Sequence, residues 1–283
     1  MGQTADTATA MSGDNAALRA CAADPGAALA TIIAIDGSFS RRVGAQLAIL
    51  PDGQVVGSMA DGCLETALAN AAKEARGPRV VQFGGAGDAV DLRLPCGSRL
   101  SVCVDPAPDN AVLRAAIEQL DNRQEAHIAV GCEGFERQYR PDLRIVGIGT
   151  GPELAALMSL ARAYGATAEA VAPLGEAGGS LALGRAPDIS VDAQTAVVVL
   201  FHEHEWERAL LPWALETPAF YIGAQGGAAV RETRREYLSE AGFDDAQRAR
   251  VRSPVGLIPK ARDPRVLALS ILSEVVADFE ARA

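Results

Sequence analysis

The chain has no C-x-x-C pair: its five cysteines, Cys21, Cys63, Cys96, Cys103 and Cys132, are odd in number and irregularly spaced. That spacing argues against a disulfide framework and a structural zinc site, and it fits a reducing cytoplasm. No apolar run is long enough to cross a membrane, and the polar, alanine-rich start lacks the apolar core of a secretory signal. Asp6 stands where a myristoylation motif after Met1-Gly2 needs Ser or Thr. Residues 1–14 are expected to form a disordered terminus. Positive charge is also short, with 26 Lys and Arg against 36 Asp and Glu and a formal net charge of −10. A nucleic-acid footprint needs a basic face, so nucleic acid is excluded as the expected partner and an anionic ligand must be held by local devices. What is plentiful is apolar material, 49% of 283 residues, enough for two ordinary domains.

Periodicity divides the chain in two. Strand patterns at 29–35, 45–50, 55–59, 79–83, 99–105 and 126–130 surround helical patterns at 61–75 and 110–122, which predicts an α/β domain with mixed strands over 15–133. The polar stretch Cys132–Asp142 reads as the boundary. Beyond it, strand 143–148, helix 152–164 and strand 167–172 open a βαβ unit, followed by strands 195–200 and 219–222, a helix over 228–241 and a closing helix over 264–282. The fold class expected is therefore a mixed α/β domain followed by a Rossmann-like parallel-sheet domain over 143–283.

Three loops of the first part carry chemistry. Pro51-Asp52-Gly53 reads as a hairpin turn, after which Asp61 looks like the N-cap of a helix whose first turn holds Gly62, Cys63 and Glu65. A helix N-terminus stabilises negative charge, so it lowers a thiol's pKa and receives anions. Cys96 sits in a Pro-Cys-Gly loop, whereas Cys103 lies inside a strand and reads as core. The loop Gly37–Gly44 brings Ser38, Arg41 and Arg42 between bracketing glycines, as a phosphate loop or equally a solvated turn would.

These residues carry a resemblance. The patterns G-S-x-x-R-x-x-G-A at Gly37–Ala45 and G-x-x-x-D-G-C-L-E at Gly57–Glu65 resemble the amino-terminal domain of the XdhC/CoxI family, the xanthine dehydrogenase accessory proteins. Asp61 departs from the family's G-G-C-L-E, and Cys96-Gly97-Ser98 from its C-G-G. Near the end, Pro254-x-Gly256-Leu257, Ala261-Arg262-x-Pro264 and Ala268-x-Ser270-Ile271-x-x-Glu274 are similar to the family's closing pattern, so the resemblance runs from about Ala28 onward. It implies a cytoplasmic maturation factor without a catalytic base. Such a factor binds the molybdenum cofactor, protects it and delivers it to an apoenzyme of the xanthine or aldehyde oxidoreductase type. Cys63 and Cys96 would be soft ligands to the metal, Glu65 would orient the loop, and Ser38 and Arg41 would hold the cofactor phosphate. A cysteine desulfurase as second partner and a homodimer are further implications, the latter helped by the apolar run Val197–Phe201 if it is a sheet edge, although that run reads equally as a central strand.

The second part offers an alternative from another class. Gly147-x-Gly149-x-Gly151 follows a buried strand and opens a helix, the context of a dinucleotide turn, with Gly149 and Gly151 as the binding glycines. The acidic residue that would bond a ribose is missing, since Val171-Ala172-Pro173-Leu174 offers only carbonyls. Leu154 and Pro152 also replace the family's small residue and histidine. An NAD-dependent oxidoreductase, a nucleotide-binding regulatory module, and glycines that only pack a helix on a sheet all remain open. His202 ends a strand and is expected to face the cleft, with metal binding by the His202/His204 pair the minority reading. Arg231, Arg234 and Arg235 read as surface charges paired with Glu232 and Glu236.

Overall fold

Apolar residues alternate along β1 (Ala28–Asp36), so Leu29 turns to one core while Ala28, Ala30 and Ile32 turn to another. The computed structural model describes residues 15–59, 62–84, 97–132, 134–176 and 178–282. The expected disordered terminus, 1–14, lies outside them. The chain divides between Asp142 and Leu143 into two compact units.

In the first unit, β1 is flanked by β2 (Gln46–Ile49) and β3 (Val55–Gly57) on one side and by β5 (Arg99–Asp105) and β4 (Arg79–Phe83) on the other, in the order β3-β2-β1-β5-β4. Mixed strand senses were expected; every neighbouring pair is antiparallel. Helices α1 (Ala16–Ala23) and α3 (Asn110–Asp121) cover one face, together with a hairpin of β6 (Ala126–Ala129) and β7 (Glu136–Tyr139). Helix α2 (Cys63–Glu74) covers the other. The stretch Cys132–Asp142 thus contains β7. Its Tyr139 hydroxyl donates to Gln46 Oε1 at 2.9 Å, and Gln46 donates to Thr31 Oγ1 at 3.0 Å, a buried chain that ties the hairpin to β1 and β2.

Two thiols correct the sequence reading. Cys103 and Cys132 form a disulfide, with Cα atoms 5.9 Å apart. Alternation in β5 turns Val102 and Val104 toward the α2 core and Cys103 to the opposite face, where the chain leaving β6 brings Cys132. Cys103 is therefore a cross-link as well as a core residue, and only Cys21, Cys63 and Cys96 are left outside the pair.

The second unit is a parallel sheet, β12 (Val251–Arg252), β11 (Tyr221–Ala224), β10 (Thr195–Leu200), β8 (Arg144–Gly149) and β9 (Thr167–Val171) in spatial order. Counted along the chain this is 2-1-3-4-5, a doubly wound sheet whose direction of winding reverses between β8 and β10. Helices α4 (Gly151–Tyr164) and α8 (Pro264–Glu280) pack on one face; α5 (Glu207–Glu216) and α6 (Ala228–Glu240) pack on the other, and short α7 (Asp245–Ala249) follows α6. Strand β10 pairs on both sides and is buried at all six positions. Val197–Phe201 is accordingly the sheet centre and offers no edge to a second subunit.

The closing pattern of the sequence is a clasp. Glu274 Oε2 accepts from the Tyr221 hydroxyl and from the Gly256 N–H, both at 2.6 Å, and Ser270 Oγ accepts from the Ile258 N–H at 2.7 Å. Burial first, then the bond to Glu274, pushes the Tyr221 phenol well above its usual pKa, so it stays a donor. Gly256 has φ +94 and lies where a Cβ would meet Ser270 Oγ at 2.4 Å, which explains the glycine.

Candidate functional site

Antiparallel pairing sends the chain out of β1, β3 and β4 at the edge where β2 and β5 begin, as the partners Asp36–Arg99 and Leu47–Gly57 show. Three loops meet there. Arg41 Nε donates to the Ser58 carbonyl and Nη2 to Ser58 Oγ, each at 3.0 Å, which binds the Gly37–Gly44 loop to the chain leaving β3. The Ser98 hydroxyl donates to the Ser38 carbonyl, so the segment two residues past Cys96 lies against the same loop. Gly44 closes that loop beside Arg137, whose Cδ would be 3.2 Å from an added Cβ.

The start of α2 completes the edge. Gly62 takes the N-cap with φ +94, a conformation that favours glycine, and the helix begins at Cys63. Asp61, expected as the cap, lies outside the described residues. The capping is done by Glu65, whose buried carboxylate accepts from the Met59 N–H through Oε1 and from the Gly62 N–H through Oε2, both at 2.9 Å. One consequence is electrostatic: a carboxylate at the helix start already answers part of the dipole, so attraction for an anion at this edge falls mainly to the exposed Arg41 and Arg42.

The edge therefore gathers Ser38, Arg41, Gly62, the backbone of Cys63, and Glu65. Cys96 lies outside the described residues. Ser58 and Ser98 were not singled out in the sequence, because a hydroxyl in a turn carries no signal until its partner loop is known. Gly149, Gly151 and His202 belong to the second unit. Gly149 ends β8 where a Cβ would sit 2.4 Å from the Leu200 carbonyl oxygen, and Gly147 where it would sit 2.6 Å from Leu154 Cδ1. Close packing accounts for both glycines. Gly151 opens α4 with φ +83, again a backbone reason. Past β9 the Ala172 carbonyl already accepts from Ser180 and Leu181, each at 3.0 Å, so the strand end Ala172-Pro173-Leu174 offers no carboxylate and a carbonyl already engaged.

His202 is exposed, with Nε2 3.8 Å from Glu153, whereas His204 Nδ1 is 3.3 Å from Glu207. The two rings address different carboxylates, and among the described residues no group of three or more His, Cys, Asp or Glu is placed to hold a metal ion. Arg234 corrects the reading of the α6 arginines. It is buried and forms an ion pair with fully buried Glu207, while it also donates to the Gln225 carbonyl and Ser253 Oγ. Beside this pair, Gly226, Pro254, Ile258, Lys260 and Leu267 are among the residues lining an apolar cleft of about 650 Å³.

Comparison with known proteins places both units. The model of the XdhC and CoxI family matches residues 20–84, and the model of the XdhC Rossmann domain matches residues 145–275. A protein of Escherichia coli (strain K12), molybdenum cofactor insertion chaperone PaoD, is 30% identical over 92% of this chain and 86% of its own length. A crystal structure described as a xanthine dehydrogenase from Bacillus halodurans shares the fold, with a TM-score of 0.71 at 20% identity, covering 96% of this chain and 97% of that one.

Proposed function

This chain belongs to the XdhC and CoxI family, and from that premise we propose that it is a molybdenum cofactor insertion chaperone. Its cargo is the cofactor and its partner a molybdoenzyme apoprotein of the xanthine or aldehyde oxidoreductase type. The observation that carries the reading is the chaperone relative, aligned along nearly the whole of both chains. The loop edge of the first unit has suitable chemistry. Arg41 and Ser38 take the cofactor's phosphate, and Cys63 and Cys96 supply thiolates to the molybdenum–sulfur centre. Glu65 holds the turn between β3 and α2 that leads into Cys63. Holding and release require no proton transfer, so no catalytic base is assigned.

A cytoplasmic location goes with this role, and among the described residues no helix is long and apolar enough to cross a membrane. A cysteine desulfurase partner and a homodimer rest on the family resemblance alone. The NAD-dependent oxidoreductase is the weaker reading, because packing explains Gly147 and Gly149 and no carboxylate stands at the end of β9 in Ala172-Pro173-Leu174. Activation of a purified xanthine- or aldehyde-oxidising apoenzyme tests the proposal. The loaded chain is expected to restore activity faster than an equal amount of free cofactor; equal rates would remove the insertion role.

A further inference from the structure

Arg231, Arg234 and Arg235 lie three and four residues apart on α6 and share one helix face. With Arg248 of α7 and Ser253 after β12 they line a pocket of about 300 Å³. Arg234 is committed to Glu207. Arg248 pairs with exposed Asp245, whereas Arg231 and Arg235 have no close partner of that kind among the described residues. Among the described residues no ion pair joins Arg231 or Arg235 to Glu232 or Glu236, although these are the neighbours that would make them ordinary surface charges. Asp245 is the sole carboxylate among the described residues lining the pocket; its Oδ1 is 2.5 Å from Arg248 Nη2 and 4.0 Å from Arg235 Nη2.

The pocket thus brings one carboxylate, already paired with Arg248, together with the further guanidinium groups of Arg231 and Arg235, in a chain whose formal net charge is −10. Arg248 is held rather than solvated: its side chain is 15% exposed, Nη1 donates to the Phe243 carbonyl, and its buried Nε–H has no acceptor among the described residues. The cluster has unmet charge and unmet donor capacity together. Like charges held side by side repel, and a dianion between them reverses the sign of that interaction.

We propose that this pocket is a binding site for a phosphate-class anion, formed by Arg231, Arg235 and Arg248 and independent of the cofactor edge in the first unit. Planar guanidinium forks match several oxygens of a phosphoryl group at once, which a single carboxylate does not offer. The small volume suits one or two phosphoryl groups and leaves no room for a folded segment of another protein. Inorganic phosphate, pyrophosphate and the phosphate end of a nucleotide share this chemistry.

Calorimetric titration of the full chain with pyrophosphate, inorganic phosphate and ADP at low salt tests the site. Saturable binding of pyrophosphate is expected. The double variant Arg231→Gln/Arg235→Gln should weaken it at least tenfold without moving the melting temperature, because both side chains are exposed. Arg231→Lys/Arg235→Lys, which keeps the charge and loses the forks, should fall between. Arg265→Gln, at an exposed arginine of α8 outside the pocket, should bind pyrophosphate as the parent does, which separates the site from the general surface charge. ADP tighter than pyrophosphate assigns the source as a nucleotide, and equal affinity assigns it as the phosphoryl groups alone. No saturable pyrophosphate binding by the parent, or equal binding by the glutamine double variant, overturns the proposal.

Discussion

Cys21 lies on the inward face of α1, where Sγ is 3.5 Å from the Ala28 carbonyl oxygen, and burial pushes its pKa from 9.0 up to about 12, with Asp105 and Asp24 adding to the shift. The folded value stands above the unfolded one. Its contribution to stability is therefore complete below about pH 9 and is lost as pH rises from there toward 12, by up to ~1.4 kcal/mol per pH unit. Urea midpoints measured from pH 8 to 11 should fall for the parent and fall less for Cys21→Ala; parallel curves would show that this thiol does not set the slope. At neutral pH, mass spectrometry after brief iodoacetamide treatment should find Cys63 and Cys96 alkylated and Cys21 untouched until the chain is unfolded. Native labelling of Cys21 would contradict its burial. Residues of this kind differ in how far they can be read from sequence. Glu65 stands out through the resemblance, while its bonds to the Met59 and Gly62 N–H groups, local as they are, escape notice because Asp61 is expected as the cap. The links of Cys103 and Arg234 were not legible, because their partners are 29 and 27 residues away and only the fold brings them together.

The elements whose signals are local came through well. Strands β4, β5 and β10 coincide with the expected ranges, and α3 ends one residue early. Helix α5 was missed because it grows out of the charged run His202–Glu205 and contains Pro212; β7 was missed because one of its two buried positions is Arg137, leaving Tyr139 as the sole apolar signal in Glu136–Tyr139. Two links between elements give measurable stakes. Removing Arg234, as in Arg234→Leu, leaves the Glu207 carboxylate buried without its partner and should cost about 3–5 kcal/mol in urea unfolding. The double variant Glu207→Leu/Arg234→Leu should recover part of that loss, and an additive loss would show that the pair does not act as a unit. The Cys103–Cys132 bond closes a loop of about thirty residues between β5 and the end of β6, for which chain entropy predicts about 3–4 kcal/mol. Reduced parent and oxidised Cys132→Ala should then unfold at the same lowered midpoint; a parent indifferent to reductant would contradict the link.

At the scale of the molecule, the order of a mixed α/β unit and a Rossmann-like unit was legible from periodicity, and the family from short motifs at their spacing; both units match family models. The role of the glycine turn was less legible, since Gly147 and Gly149 satisfy a packing demand that looks the same in sequence as a ligand demand. The meeting of three loops at one sheet edge could not be read without the strand register. That edge carries the central claim, that the chain holds the molybdenum cofactor on the loops of its first unit. The most direct measurement is the molybdenum and pterin content of the protein purified from a host that makes the cofactor, beside Cys63→Ala and Arg41→Ala purified in the same way. Roughly equimolar molybdenum and pterin in the parent, with loss from both variants at unchanged fold, is the expected result. A parent that is empty and takes up no added cofactor, or variants as fully loaded as the parent, would contradict the claim.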